Sequence, residues 1–175
     1  MISLGSLFGR QASPLLGLDI SSSSVKLVEL GRAKDGSLVL ERCAIEPLER
    51  GWITDGNVEK FDEVAEAMRR VVKKSGTRTR NVAMALPASA VITKKIILPG
   101  GMSDAELEIQ VETEANQYIP FSLDEVSLDF CVVGPSTTSA GDVEVLIAAS
   151  RKEKVQDRQG LAEAAGLKPV IIDVE

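Results

Sequence analysis

Asp19, the four serines Ser21, Ser22, Ser23 and Ser24, and Lys26 stand together near the start of the chain. An acid, a row of hydroxyls and a base at this spacing are the parts of a phosphate site. Successive N–H groups in a turn form an anion nest, the lysine neutralises charge, and the aspartate can hold Mg²⁺ through water. An ordinary solvated turn uses the same residue types, and these residues alone leave both readings open. Two further acids, Asp173 and Glu175, stand at the end of an apolar run. Strand ends are where open α/β sheets receive ligands.

These groups need elements to hold them. Residues 16–30 read as two apolar strands around the serines, a β-hairpin with the polar turn at its tip. Residues 37–48 alternate as a third strand, with Leu38, Leu40 and Ala44 on one side and Val39, Cys43 and Ile45 on the other, ended by Pro47. A loop follows over 51–56, with Trp52 packing down over the sheet. The first helix is capped by Asn57, carries Phe61, Val64, Ala65, Met68, Val71 and Val72 on one face, and stops at Gly76. Residues 81–87 form a buried apolar strand, and 90–98 form another, with a lobe boundary near Ala88 and Ser89.

The second helix opens with a capping box, Ser103 to Glu106, and carries Leu107, Val111, Ala115 and Tyr118 as its apolar stripe until Pro120. Strands over 126–133 and 142–149 flank a polar loop at 134–141. A second box, Ser150 to Glu153, opens a third helix with Val155, Arg158, Ala162 and Ala165 on one face, weakened by Gly160 and ended by Gly166. Residues 170–174 are a last buried strand. Running straight to residue 175, it leaves the crevice at its end unfinished and reads as cut there.

Composition narrows the chemistry. The 175 residues are 44% hydrophobic and 26% charged, enough for one sizeable core or two small lobes. A net charge of −6, without a long basic run, argues against nucleic acid. Histidine is absent, which removes imidazole metal sites and His-dependent nucleophilic catalysis. Glu106, Glu108, Glu112 and Glu114 fall on the solvent side of their helix rather than making a hydrolytic pair. Cys43 and Cys131 read as buried, reduced thiols. No apolar run is long enough for a membrane span, and Leu4, Leu7 and Phe8 offer at most a weak amphipathic turn in an N-terminus expected to fray.

Five stretches taken together, 16–30, 89–94, 114–121, 142–154 and 165–175, closely resemble the PilM family, actin-like cytoplasmic proteins of type IV pilus assembly, and more distantly the FtsA cell-division family. The resemblance implies an α/β chain with an actin/hexokinase-like (ribonuclease H-like) first subdomain over 1–87 and 166–175. Inserted in it would be a small FtsA-type α/β subdomain over 88–165. It implies ATP with Mg on Asp19, Ser21, Ser22, Ser23, Ser24 and Lys26, with Asp173 and Glu175 nearby and Asp19 toward the metal. Relatives often carry glycine where Ser21 or Ser23 stands here, and serine leaves less room for close backbone approach to phosphate. The family's remaining nucleotide-binding segments lie beyond residue 175, so this piece should bind ATP poorly and not hydrolyse it.

The partner implied is the N-terminal tail of the inner-membrane protein PilN, held by Val91, Ile92, Gln117, Tyr118, Ile119, Pro120 and Phe121. Other pilus assembly proteins would be further partners. The location implied is the cytoplasmic side of the bacterial inner membrane, reached only through partners. Rival readings are a slow ATPase or sugar-kinase-like phosphotransferase, and the cytoplasmic scaffold of a type II secretion system.

Overall fold

Alternating apolar residues near the start become β1 (Leu16–Ile20) and β2 (Ser24–Arg32), an antiparallel hairpin in which Asp19 faces Lys26 directly. The structure, a computed structural model, describes residues 14–175; Leu4, Leu7 and Phe8 lie outside the described residues. The chain divides into two units. One takes the described residues up to 85 with 157–173; the other takes 86–156 with 174–175.

In the first unit β3 (Leu38–Pro47), β6 (Asn81–Leu86) and β10 (Lys168–Val174) join the hairpin in the order β10-β6-β1-β2-β3. β6 runs parallel to β1. Lys168 N–H donates to the Arg80 carbonyl at 2.8 Å, so β10 starts beside the start of β6 and runs the same way. A ladder of two residues per strand, β4 (Ile53–Thr54) and β5 (Asn57–Val58), precedes α1 (Phe61–Ser75). Trp52 packs against the core, as its position in the sequence suggested. Asn57 does not cap the helix: it pairs with Thr54, and the helix starts after Lys60 with no side-chain cap. Asp62 and Glu63 in the first turn instead meet the partial positive charge of the helix end.

The stripe of α1 is buried at Val64, Ala65, Met68, Val71 and Val72 against Leu16, Leu18, Val25 and Leu27 of the sheet. Gly76, left-handed at φ 66°, closes the helix by donating its N–H to the Lys73 carbonyl. α3 (Lys152–Ala164) contributes Leu161 and Ala162 to the same core. Residues 157–165, expected in the inserted subdomain, therefore belong to the first unit. Its end is a Schellman turn, in which Leu167 N–H bonds the Ala162 carbonyl and Gly166 N–H that of Glu163.

In the second unit β7 (Val91–Pro99), β8 (Val126–Pro135) and β9 (Asp142–Arg151) form an antiparallel sheet in the order β7-β9-β8. α2 (Asp104–Tyr118) covers one face, burying Leu107 and Val111 against Ile96, Leu98, Val145 and Ile147. The Ser103–Glu106 capping box is present, and the Ser103 backbone and side-chain hydrogen bonds hold the Glu106 carboxyl below its ordinary range. The second expected box is not. Ser150 lies in β9 with its hydroxyl donating to the Ala90 carbonyl at 2.8 Å.

Three expectations about burial are also corrected. Cys43 and Cys131 are exposed, because each stands on an outer strand of its sheet facing away from the covering helix. β10 is an edge strand rather than a buried one, and Val170 and Ile171 are exposed. Tyr118, the last residue of α2, is exposed rather than part of its buried stripe.

Candidate functional site

The serine turn is built from its own bonds. Ser21 N–H and hydroxyl both donate to the Ser24 carbonyl, at 3.0 and 3.1 Å, and the two hydroxyls lie 3.4 Å apart. Leu48 N–H fixes the Ser23 carbonyl at 2.8 Å, so the arrival of β3 braces the turn. Ser24 is buried while Ser22 and Ser23 are exposed. The turn thus offers two outer serines on a fixed base.

Asp19 and Lys26 meet across the hairpin at 2.7 Å, both about half exposed. The pair follows from register, since directly opposed residues share a face of the sheet. Because β1, β6 and β10 run the same way, Asp19 and Asp173 stand at the same, carboxyl-terminal edge of one sheet. Two strand spacings, about 10 Å, separate their strands. Glu175 belongs to the other unit, where its N–H donates to the Leu86 carbonyl at 3.1 Å. Among the described residues no three Asp, Glu or Cys side chains converge as a metal site. Asp19 with Lys26 and exposed serines suits an anion whose own oxygens complete a metal's shell, not a metal held by protein alone.

The residues assigned to peptide binding lie in the second unit. Tyr118 and Phe121 are 44% and 39% exposed, whereas Ile119 is 7% exposed and packs with Ala115, Val126 and Ala149. Gln117 and Pro120 are exposed, and Val91 and Ile92 are half-buried at the start of β7. β7 bonds only to β9, which leaves its other edge open among the described residues. Two cations missed from the sequence complete the arrangement. Lys94 Nζ sits 4.7 Å from the centre of the Tyr118 ring, and the Arg151 guanidinium 5.4 Å from that of Phe121. Lys94 is one of two adjacent lysines within an otherwise apolar strand, and only the β7–α2 packing reveals what it covers.

The sequence model described as Type IV pilus assembly protein PilM matches residues 17–175. A solved chain from a PilM–PilN type IV pilus biogenesis complex is 35% identical, with a TM-score of 0.80 over 91% of this chain and 47% of that one. The chain thus spans about half the length of that relative. The cytoplasmic domain of EpsL, an inner-membrane component of the type II secretion system of Vibrio cholerae, is 14% identical. Its TM-score is 0.53 over 92% of this chain and 57% of that one, which shows the α/β fold alone. The match across residues 17–175 places this chain in the PilM family of type IV pilus assembly proteins.

Proposed function

We propose that the chain is the first part of an actin-like adaptor that holds the N-terminal tail of an inner-membrane PilN at the cytoplasmic side of the membrane. The observation that carries this reading is the pair of half-exposed rings, Tyr118 and Phe121, each capped by a cation, the first of them by Lys94 of β7, whose outer edge is open among the described residues. An extended tail adds along a free strand edge through its backbone while apolar side chains settle against the rings. The relative solved in a complex with PilN supports the choice of partner. No helix among the described residues is long and apolar enough to cross a membrane.

A synthetic PilN tail titrated calorimetrically against the chain should bind saturably. Tyr118→Ala with Phe121→Ala should weaken it at least about tenfold, the scale of losing two aromatic anchors. Unchanged affinity in the double variant removes this surface from the assignment.

The β1–β2 hairpin supplies one wall of a site for ATP with Mg²⁺ in the longer protein. Lys26 and the outer serines would meet phosphate oxygens, and Asp19 would orient water on the ion. The bound ion would screen phosphate charge and couple nucleotide binding to the arrangement of the protein. In the longer protein Asp19→Ala should weaken Mg-ATP binding in a nucleotide titration by about tenfold, one charge-assisted contact. An unaltered dissociation constant takes the hairpin out of the site.

A further inference from the structure

β3 ends its sheet, and among the described residues no strand pairs with its outer side. Its backbone groups can be sorted by the ladder to β2. Leu48 N–H bonds the Ser23 carbonyl, so the bonded pairs continue as Val25 with Glu46, Leu27 with Ala44 and Glu29 with Arg42. The N–H and C=O groups of Cys43 and Ile45 therefore point to the free side. The Ile45 carbonyl accepts from Lys74 Nζ at 2.9 Å, as a group not used by β2 can.

At Glu41 the strand bulges: Glu29 faces Arg42, and Leu30 faces Leu40. Beyond the bulge Ala33 N–H bonds the Ser37 carbonyl at 2.9 Å, which makes Gly31 with Val39 the bonded pair. Leu38 and Leu40 then point outward as well. Outward groups fall at Leu38, Leu40, Cys43 and Ile45, and this spacing reads the same from either end. Without the bulge the outward set would simply alternate and specify no centre.

We propose that this edge pairs antiparallel with the same edge of a second copy of the chain, about a two-fold axis between Glu41 and Arg42, joining the two five-stranded sheets into one. Leu40 then lies opposite Cys43 of the second copy and Leu38 opposite Ile45, each as a bonded pair. The side chains agree with this register. Plain alternation puts Leu38 and Leu40 with Ala44, but the bulge turns them to the face of Cys43 and Ile45, away from α1. Leu38, Leu40 and Ile45 are 64%, 56% and 57% exposed, so each pairing matches apolar with apolar. At the axis Glu41 faces Arg42 of the second copy and Arg42 faces its Glu41, opposite charges twice. Exposed Val28 and Leu30 of β2 continue the same apolar face. Lys74 need not leave, because a carbonyl oxygen has a second lone pair.

The test is light scattering on the eluting 175-residue chain over about two decades of concentration, where a dimer forms by mass action. The apparent mass should rise towards twice the monomer's, and Leu40→Lys with Ile45→Lys should hold it at the monomer value with an unchanged circular dichroism spectrum. Register is read by disulfides. In a Cys131→Ser background, Leu40→Cys should cross-link on mild oxidation through Cys43 of the second copy, and adding Cys43→Ser should abolish that link. Cys43 alone, offset from its own copy by three residues, should not form it. A chain that stays monomeric throughout, a lysine variant that dimerises as well as the parent, or a link mapped to other residues overturns the proposal.

Discussion

Glu29→Ala should lower the stability of the first unit by about 3 kcal/mol, the scale of losing hydrogen bonds to a charged acceptor and leaving a buried donor unpaired. The fluorescence of Trp52, the single tryptophan and a member of that unit's core, would follow its unfolding in urea. Glu29 is buried in β2 and accepts from the Thr77 hydroxyl at 2.8 Å and the Thr79 hydroxyl at 2.6 Å, with Arg42 Nε at 3.4 Å. It fastens the sheet to the segment that leaves α1. Alanine leaves the buried Thr77 hydroxyl without its acceptor, a loss of about 1–3 kcal/mol by itself. Arg42 is half exposed and rehydrates, so the threonines carry most of the effect.

The same contacts predict a pH dependence. The Thr79 hydrogen bond first, then Thr77 and the Arg42 charge, hold the Glu29 carboxyl below its ordinary value against the opposing effect of burial. The folded state therefore favours the ionised form more than the unfolded chain does. The stabilisation is complete above the unfolded value, about 4.3, and disappears as pH falls through the lower folded value. Glu29→Gln keeps the shape and some of the hydrogen bonding but cannot titrate. Its urea midpoint should be lower at neutral pH and should change less across the acid limb than that of the parent. Parallel acid limbs for the two proteins would show that Glu29 is not held in this way.

Glu29 also shows where reading the sequence stopped. Between Val28 and Leu30 it resembles any solvent-facing position of an alternating strand, and its threonine partners lie 48 and 50 residues away. Local signals were legible: the α1 stripe, the Ser103–Glu106 box, and the glycines at 76 and 166 each state their structure within a few residues. Signals that depended on neighbours in space misled. Asn57 has the chemistry of a cap but went to a short ladder, and Ser150 went to a carbonyl of β7's approach. Cys43 sits in an alternating apolar pattern that looks buried on both faces, yet exposure follows from β3 ending the sheet, which period two cannot report. For the candidate site, the acid-serine-lysine hairpin and the two aromatic residues could be picked out by type. Their settings, Lys26 opposite Asp19 and a cation over each ring, are products of pairing and packing.

Two neighbouring residues of α3 test where that helix belongs, with effects of opposite sign. Leu161 is completely buried among the side chains of the first unit, beside Ala162 and within the cluster that holds Met68 and Val71. Leu161→Ala removes the packed atoms and leaves a cavity that α1 and the sheet cannot readily close, a loss of about 3–4 kcal/mol. Gly160 presents its open side to Phe61, and an added Cβ would meet Cζ and Cε2 of that ring at 3.6 and 3.7 Å, ordinary contact distances. Gly160→Ala should therefore raise stability by about 0.5–1 kcal/mol, through the lower freedom of alanine in the unfolded chain. Both changes should move the Trp52 transition, since Trp52 reports the unit in which these residues pack. Had the helix belonged to the inserted unit, as the sequence suggested, Leu161→Ala would leave that transition nearly still and shift only the unfolding of residues 86–156 followed by hydrogen exchange. A Trp52 midpoint unchanged by Leu161→Ala is thus the result that would return residues 157–165 to the insertion.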